Sequence, residues 1–97
     1  MENIIWLTKW FKENCDGDWE HTNIISITTI DNPGWSFKVD ITDTIDEGKK
    51  LSIEDLKNND DWYTITCDGN LFSAYGDLLK LSFLIESFRL MIESPFP

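Results

Sequence analysis

The sequence predicts an α+β fold, in which a four- to five-stranded antiparallel sheet has an N-terminal and a C-terminal helix packed on one face. Three observations predict this class. Apolar residues recur with helical spacing near both ends of the chain, they alternate with a period of two in between, and turn-forming residues separate the alternating segments. We expect the 97 residues to form a single domain, 1–97, because chains divide into domains only at roughly 250 residues or more.

The first helix is predicted over residues 4–14. Its apolar side chains gather on one side of a helical wheel, and they are Ile4, Trp6, Leu7, Trp10 and Phe11. Cys15 falls on the same side, so we expect it to be a small core residue. A polar loop is predicted to follow over residues 16–22.

Residues 23–30 and 35–42 are predicted to form a β-hairpin. The second segment alternates cleanly, and its apolar side chains on one face are Trp35, Phe37, Val39 and Ile41. The connection reads DNPG at 31–34, where proline fixes φ and glycine tolerates a positive φ. This chemistry predicts a type II-like turn.

A second hairpin is predicted after the acidic and irregular segment 43–61. Within that segment, residues 51–56 suit a short edge strand or a helical turn. The hairpin strands are 62–67 and 71–75, and the Asp-Gly pair of the intervening turn is a strong hairpin signal. The face predicted for the core contains Tyr63, Ile65 and Cys67.

The closing helix is predicted over residues 78–94, after Gly76 ends the sheet and Asp77 caps the helix. Its broad apolar face contains Leu78, Leu81, Leu84, Ile85, Phe88, Met91 and Ile92. A second ridge contains Leu79, Phe83 and Leu90. A helix this apolar contacts more than one neighbour, so we expect the sheet on one side and the first helix on the other. Pro95 and Pro97 are expected to terminate it.

The charge balance restricts the class of partner. Eighteen acidic residues oppose eight Lys and Arg, which gives a formal net charge of −10. Phosphate backbones and anionic membranes would be repelled, so we expect no nucleic-acid and no membrane partner. A basic macromolecule would be attracted, with acidity that serves solubility alone as the alternative. No stretch suits a signal peptide or a membrane span, so we expect a cytoplasmic protein.

The densest polar cluster, CDGDWEH at 15–21, is the candidate for catalytic or metal chemistry. It lacks the spacing of a calcium loop, and the single His of the chain is too few for a catalytic zinc site. Acidic neighbours raise the pKa of the Cys15 thiol. We therefore expect no catalytic residue, no metal, no cofactor and a loop closed by Asx hydrogen bonds. The alternative is a small thiol- or metal-dependent enzyme that uses this loop.

The two cysteines, Cys15 and Cys67, lack CxxC spacing and are expected to be reduced and structural. One long-range disulfide is the alternative.

Two tryptophans, Trp19 and Trp62, lie among carboxylates. Exposed aromatic residues surrounded by acidic ones suit a protein interface. The predicted partner-binding residues are therefore Asp16, Asp18, Trp19, Glu20, Asp60, Asp61 and Trp62. The alternative is that each indole seals the edge of the core.

Several motifs together carry a family resemblance. They are the paired tryptophans Trp6 and Trp10, CDGDWEH at 15–21, DNPGW at 31–35, Asp61-Trp62, the Cys67 strand and the closing amphipathic helix. With these motifs, spread over nearly the whole chain, the sequence resembles the immunity protein 53 family of bacterial polymorphic-toxin loci. It departs from the family pattern at Phe88-Arg89-Leu90, where an aromatic followed by Trp is expected, and at Gly76, which alone remains of a Gly-rich turn.

The resemblance implies a cytosolic protein that neutralises a cognate toxin by tight binding. The acidic balance adds the expectation that the toxin domain is basic, as in a nuclease, and that an acidic surface binds it. A housekeeping adaptor is the remaining alternative. The sequence leaves the oligomeric state open.

Overall fold

The computed structural model describes residues 1–95 and contains three helices and one five-stranded antiparallel sheet within them. In chain order the elements are α1 Glu2–Asn14, α2 Trp19–Thr22, β1 Ile25–Ile30, β2 Gly34–Asp40, β3 Lys50–Asn58, β4 Asp61–Asp68, β5 Leu71–Gly76 and α3 Leu81–Glu93. The predicted α+β class with its antiparallel sheet is confirmed. Pro97, predicted to help terminate the last helix, lies outside the described residues.

The strand order is β1-β2-β5-β4-β3, and every neighbouring pair is antiparallel. Both hairpins form, as β1–β2 and as β4–β5. The segment near 51–56 belongs to a nine-residue edge strand, β3, so the strand alternative is the correct one. Because β5 inserts between β2 and β4, the chain after β2 crosses the end of the sheet through residues 41–49 before it enters β3.

Phe88 of α3 links the sheet to α1. Its ring lies 5.1 Å from that of Phe72 and 6.1 Å from that of Phe37, both on the buried face of the sheet. On the other side it lies 5.0 Å from the ring of Trp10 in α1. Edge-to-face pairs of this kind stabilise a core beyond the area that they bury. The expectation that the last helix contacts both the sheet and the first helix is confirmed.

The first helix places Cys15 outside the core, so that prediction is wrong. The helix ends at Asn14, and Cys15 is its C-cap with an extended backbone, which turns the side chain away from the apolar stripe of Leu7 and Trp10. The exposed Cys15 thiol donates to the carbonyl oxygen of Phe11 at 3.3 Å. Ile4, also predicted on the core side, is about half exposed.

The first hairpin closes through a different turn from the type II-like one predicted. The Asn32–Pro33 peptide bond is cis. Gly34 is the first residue of β2, and its φ is not positive. Gly34 is needed for another reason. A Cβ there would collide with the carbonyl oxygen of Gly76 on β5 and approach the ring of Trp62.

The last helix begins at Leu81, three residues later than predicted, because Asp77 does not cap it. The Lys80 amide donates to the Asp77 carbonyl at 3.0 Å, so residues 77–80 form a separate turn before the helix. The buried Asp77 carboxylate accepts hydrogen bonds from the backbone N–H groups of Leu79 and Trp62. This arrangement fixes the start of β4 to the turn before the helix.

The second apolar ridge predicted on this helix is not continuous. Leu79 lies in the turn and is 90% exposed, Phe83 packs on Tyr63 with ring centroids 4.7 Å apart, and Leu90 is more than half exposed. Leu78, predicted on the broad face, is half exposed in the same turn.

Candidate functional site

The predicted partner-binding residues divide between opposite ends of the sheet. Residues 16–20 precede β1 and lie near the end of β4 that Asp68 occupies, whereas residues 60–62 lie at its start. Strand β4 spans Asp61–Asp68, so the two groups are about 23 Å apart at the usual rise per residue. They do not form one compact patch.

Three segments meet at the first of these ends. The indole Nε1 of Trp19 and the side-chain Nδ2 of Asn23 both donate to the carbonyl oxygen of Thr42, at 2.8 and 3.0 Å. The β4–β5 turn joins the same cluster, since the N–H of Gly48 donates to the carbonyl oxygen of Gly69 at 2.8 Å. The loops therefore hold one another in place.

We call this region, comprising residues 16–24, 40–49 and 68–70, the acidic end. Its eight carboxylates are those of Asp16, Asp18, Glu20, Asp40, Asp43, Asp46, Glu47 and Asp68. The lysine within these ranges is Lys49, whose side chain is buried. The surface of this end is thus strongly negative.

The loop 16–20 is closed by its own carboxylates. Asp16 accepts hydrogen bonds from the N–H groups of Trp19 and Asp18 at 2.8 and 2.9 Å. These bonds lower the pKa of Asp16, and the bond from Trp19 has the larger effect. Glu20 accepts from the N–H groups of Asp16 and Gly17. Hydrogen bonds from backbone N–H groups lower the pKa of Glu20, and the bond from the backbone of Glu20 itself has the largest effect. The predicted Asx hydrogen bonds are confirmed at Asp16, but the predicted polar loop over residues 16–22 is wrong from Trp19 onward, because Trp19–Thr22 form the short helix α2. Both carboxylates carry a fixed charge at neutral pH.

Trp19 is buried, so the interpretation as an exposed interface aromatic is wrong for this residue. Its side chain is 6% exposed, and its ring lies 6.0 Å from that of Trp10 and 5.1 Å from that of Phe11. The alternative, an indole that seals the edge of the core, is the observed arrangement. Trp19 supports the acidic end from beneath.

A buried ammonium group fixes the loop 41–49 to the last helix. Lys49 Nζ lies 2.9 Å from Asp46 Oδ1. It also donates to the carbonyl oxygens of Ile92 and Ser94 at the C-terminus of α3, at 2.8 and 2.7 Å. The last carbonyls of a helix have no partner within the helix and carry partial negative charge. A cation at this point therefore joins the loop to α3.

Ile45 projects from this fixed loop and is 91% exposed. It stands between the exposed carboxylates of Asp43 and Glu47, and the Asp43 amide donates to Glu47 Oε1 at 2.7 Å. Asp43 adopts a left-handed φ of 63°, which aspartate tolerates better than most residues. Ile45 was not among the predicted partner-binding residues; the signal for it was an isoleucine without a periodic apolar partner inside an acidic segment.

A lysine offsets part of the negative charge at the opposite end. Lys80 Nζ lies 2.8 Å from Asp61 and 2.7 Å from Asp77, and it lowers the pKa of Asp61 and that of Asp77, the latter to about 2. Trp62 is half-buried over Gly34. Asp60 is exposed.

The chemistry around Cys15 favours the protonated thiol. Loss of hydration and then the carboxylates of Glu20 and Asp16 raise the pKa of Cys15, whereas a catalytic thiol needs a lowered one. Cys67 is a buried free thiol. Within residues 1–95, no group of three or more His, Cys, Asp or Glu side chains is arranged to hold a metal ion. None of the helices in that range is long and apolar enough to cross a membrane.

The fold and this surface describe a small α+β protein with a fixed, acidic, loop-built end. A family model described as Immunity protein 53 matches residues 4–93. The chain belongs to the Immunity protein 53 family, so its function is immunity, the binding of a cognate toxin. Neither a curated protein nor a solved structure gives a significant match to the chain.

Proposed function

We propose that this immunity protein neutralises a basic toxin domain, binding it in the cytoplasm through the acidic end. The observation that carries the proposal is the exposed Ile45 on a fixed loop, flanked by the exposed carboxylates of Asp43 and Glu47. The contacts are made by Asp16, Asp18 and Glu20 on one loop and by Asp43, Ile45 and Glu47 on the other. Trp19 acts from beneath as their support.

The charge distribution supports a basic partner. One end of the molecule concentrates eight carboxylates around a single buried lysine, whereas at the other end Lys80 pairs with both Asp61 and Asp77 and offsets one of their two charges. A localised field of this kind orients an approaching cationic surface and raises the association rate. A nuclease domain is the favoured toxin class, because proteins that bind a phosphate backbone carry basic surfaces.

Ile45 is proposed as the apolar anchor. Transfer of a fully exposed isoleucine into a partner's pocket contributes about 1.5–3 kcal/mol. The loop is already ordered by Lys49 and Asp46, so little conformational entropy is lost on binding. The steering carboxylates and the anchor therefore act on different rate constants, association and dissociation.

Asp60, Asp61 and Trp62 are proposed as a peripheral contact. A partner centred on the acidic end has to extend about 23 Å along the sheet to reach them. Because Lys80 already pairs with Asp61, this contact contributes less to electrostatic steering.

The anchor is tested with two matched variants, Ile45→Ser and Leu79→Ser. Both side chains are about 90% exposed, but Leu79 lies at the opposite end of the molecule. The partner assayed is the protein encoded immediately upstream, and its dissociation is followed by surface plasmon resonance. We expect Ile45→Ser to dissociate roughly tenfold or more faster and to lose protection in a growth assay. Leu79→Ser should bind as the wild type does. The reverse pattern would move the contact to the turn before α3 and reject the proposal.

A further inference from the structure

The edge strand β3 offers half of its length for pairing with another strand. Strand β3 hydrogen-bonds with β4 on one side and forms the border of the sheet on the other. It is nine residues long, and an exposed edge of that length is a template for a further strand.

Two features that block edge pairing, an inward-pointing charge and a bulge, lie in the second half of β3. Asp55 places a charge on the helix-covered face, opposite Tyr63, and the register shifts between Leu56 and Asn58. Inward charges and bulges are the usual means of preventing edge-to-edge association. Residues 50–54 carry neither feature.

An apolar groove runs along the unblocked half. It has a volume of about 550 Å³ between β3 and α3, and its apolar lining residues include Leu51, Ile53, Leu90 and Met91. Ile53 is 42% exposed and Leu90 is 58% exposed. A strand added to β3 would cover both side chains.

We propose that the protein self-associates into a two-fold dimer in which residues 50–54 pair antiparallel with the same residues of a second copy. In an antiparallel pair, directly opposite residues share a face of the sheet. In a register centred on Ser52, Lys50 of each copy lies opposite Glu54 of the other copy on the open face of the sheet. On the helix-covered face, Leu51 of each copy lies opposite Ile53 of the other copy.

Neighbouring registers are less complementary. A pair centred on Glu54 places two carboxylates opposite each other, and one centred on Ile53 places Leu51 opposite the carboxylate of Asp55. Like charges directly opposite one another destabilise a sheet, whereas opposite charges stabilise it. The sequence of β3 therefore selects the Ser52 register and a second copy as the occupant of this edge.

The net charge of −10 on each copy opposes association, but it is not concentrated at the pairing segment. Charges farther apart than about 8 Å are largely screened at physiological ionic strength. The Lys50–Glu54 pairs are in direct contact and alternate in sign, so the local attraction persists. This dimer is independent of the proposed toxin contact, which lies on other residues.

The test uses charge exchange followed by analytical ultracentrifugation. We expect the wild-type protein to dimerise as its concentration rises. Lys50→Glu or Glu54→Lys alone should weaken the dimer affinity about tenfold. A mixture of the two single variants should form a heterodimer, because positions 50 and 54 are then both acidic in one copy and both basic in the other. The double variant Lys50→Glu/Glu54→Lys should recover the homodimer. Lys57→Glu, in the blocked half of β3, is the control and should associate as the wild type does.

Glu54→Lys makes the test decisive, because it changes the net charge from −10 to −8. Stronger self-association of this variant would show that overall repulsion governs the equilibrium and would overturn the proposal. A wild-type chain that is monomeric up to about 1 mM would overturn it as well. If the same variants then slow toxin binding, the edge belongs to the toxin instead. Circular dichroism confirms that each variant retains the fold.

Discussion

The indole nitrogen of Trp19 lies 2.8 Å from the carbonyl oxygen of Thr42, and this hydrogen bond joins the two loops of the acidic end. The residues are 23 positions apart in the sequence. Trp19 contacts Trp10 and Phe11 through its ring, so the same side chain connects the core to the surface loops. The shape of the acidic end thus depends on a buried residue.

Trp19→Phe should lower stability and also weaken toxin binding. It removes the hydrogen bond to Thr42 but keeps an aromatic ring, so we expect a loss of about 1 kcal/mol in the free energy of unfolding. Trp35→Phe is the control, because it removes the bond from the Trp35 indole to the Leu78 carbonyl at the other end. Chemical denaturation and toxin titration measure both. Equal effects of the two variants on toxin affinity would contradict a supporting role for Trp19.

Lys49→Met should be the most destabilising single change in the loops. It leaves the Asp46 carboxylate buried without its ion-pair partner and removes the donor to the last carbonyls of α3. Breaking a buried pair in this way costs about 3–5 kcal/mol.

Two further variants serve as controls for Lys49→Met, and urea denaturation measures the free energy of unfolding of all three. The double variant Asp46→Leu/Lys49→Met should recover part of the loss, because no buried charge is left behind. Lys57→Met, at an exposed pair, should stay within about 0.5 kcal/mol of wild type. A loss of that small size for Lys49→Met would mean that the ammonium does not hold the loop to the helix.

Stability should fall in acid partly through Asp77. Its hydrogen bonds with Lys80, and then with the amides of Trp62 and Leu79, lower its pKa from 3.8 to about 2. Between these two values the unfolded chain binds more protons than the folded one, so stability is lost as the pH falls from about 4 to about 2. Asp77→Asn should flatten the pH dependence in that window, whereas the exposed Asp60→Asn should not. Parallel curves for Asp77→Asn and wild type would show that the ion pair is not formed.

Cys15→Ala should leave both stability and toxin neutralisation unchanged. The thiol is exposed and its pKa is raised, so it is protonated at neutral pH and packs on little. Its effect on the free energy of unfolding should stay within about 0.5 kcal/mol. Cys67→Ser places a hydroxyl in the core and should cost about 1–3 kcal/mol. If folded Cys15→Ala protein fails to protect cells, thiol chemistry at this loop has to be reconsidered.

Local patterns predicted the elements well. The alternation of residues 35–42 and the Asp-Gly turn at 68–69 specify strands and a hairpin by themselves, because period and turn chemistry are local properties. The start of α3 was misplaced because Asp77 bonds to the amide of Trp62, fifteen residues away. The local sequence around an aspartate does not distinguish a helix cap from a residue that bonds to a distant backbone amide.

The candidate site was predicted only in part. Strands β1 and β4 run in opposite directions, so residues 16–20 before β1 and residues 60–62 at the start of β4 lie at opposite ends of the sheet, and 41–49 lie beside the first group. The direction of β4 depends on whether residues 51–56 form a strand, which their local pattern left open. Trp19 was misjudged because its sequence neighbours are acidic, whereas its spatial neighbours Trp10 and Phe11 are apolar.

Recognition through the acidic end is tested by the salt dependence of toxin association. Asp18→Lys/Asp43→Asn changes the charge of the acidic end by three, and Asp60→Lys/Asp31→Asn changes the opposite end by the same amount. All four side chains are exposed, and asparagine tolerates the left-handed backbone of residue 43. We predict that the first pair lowers the association rate constant about tenfold at low salt, and that the difference from wild type shrinks as salt is added. The second pair should change it little. Equal slowing by both pairs, or rates indifferent to salt and to either pair, would contradict recognition through the acidic end.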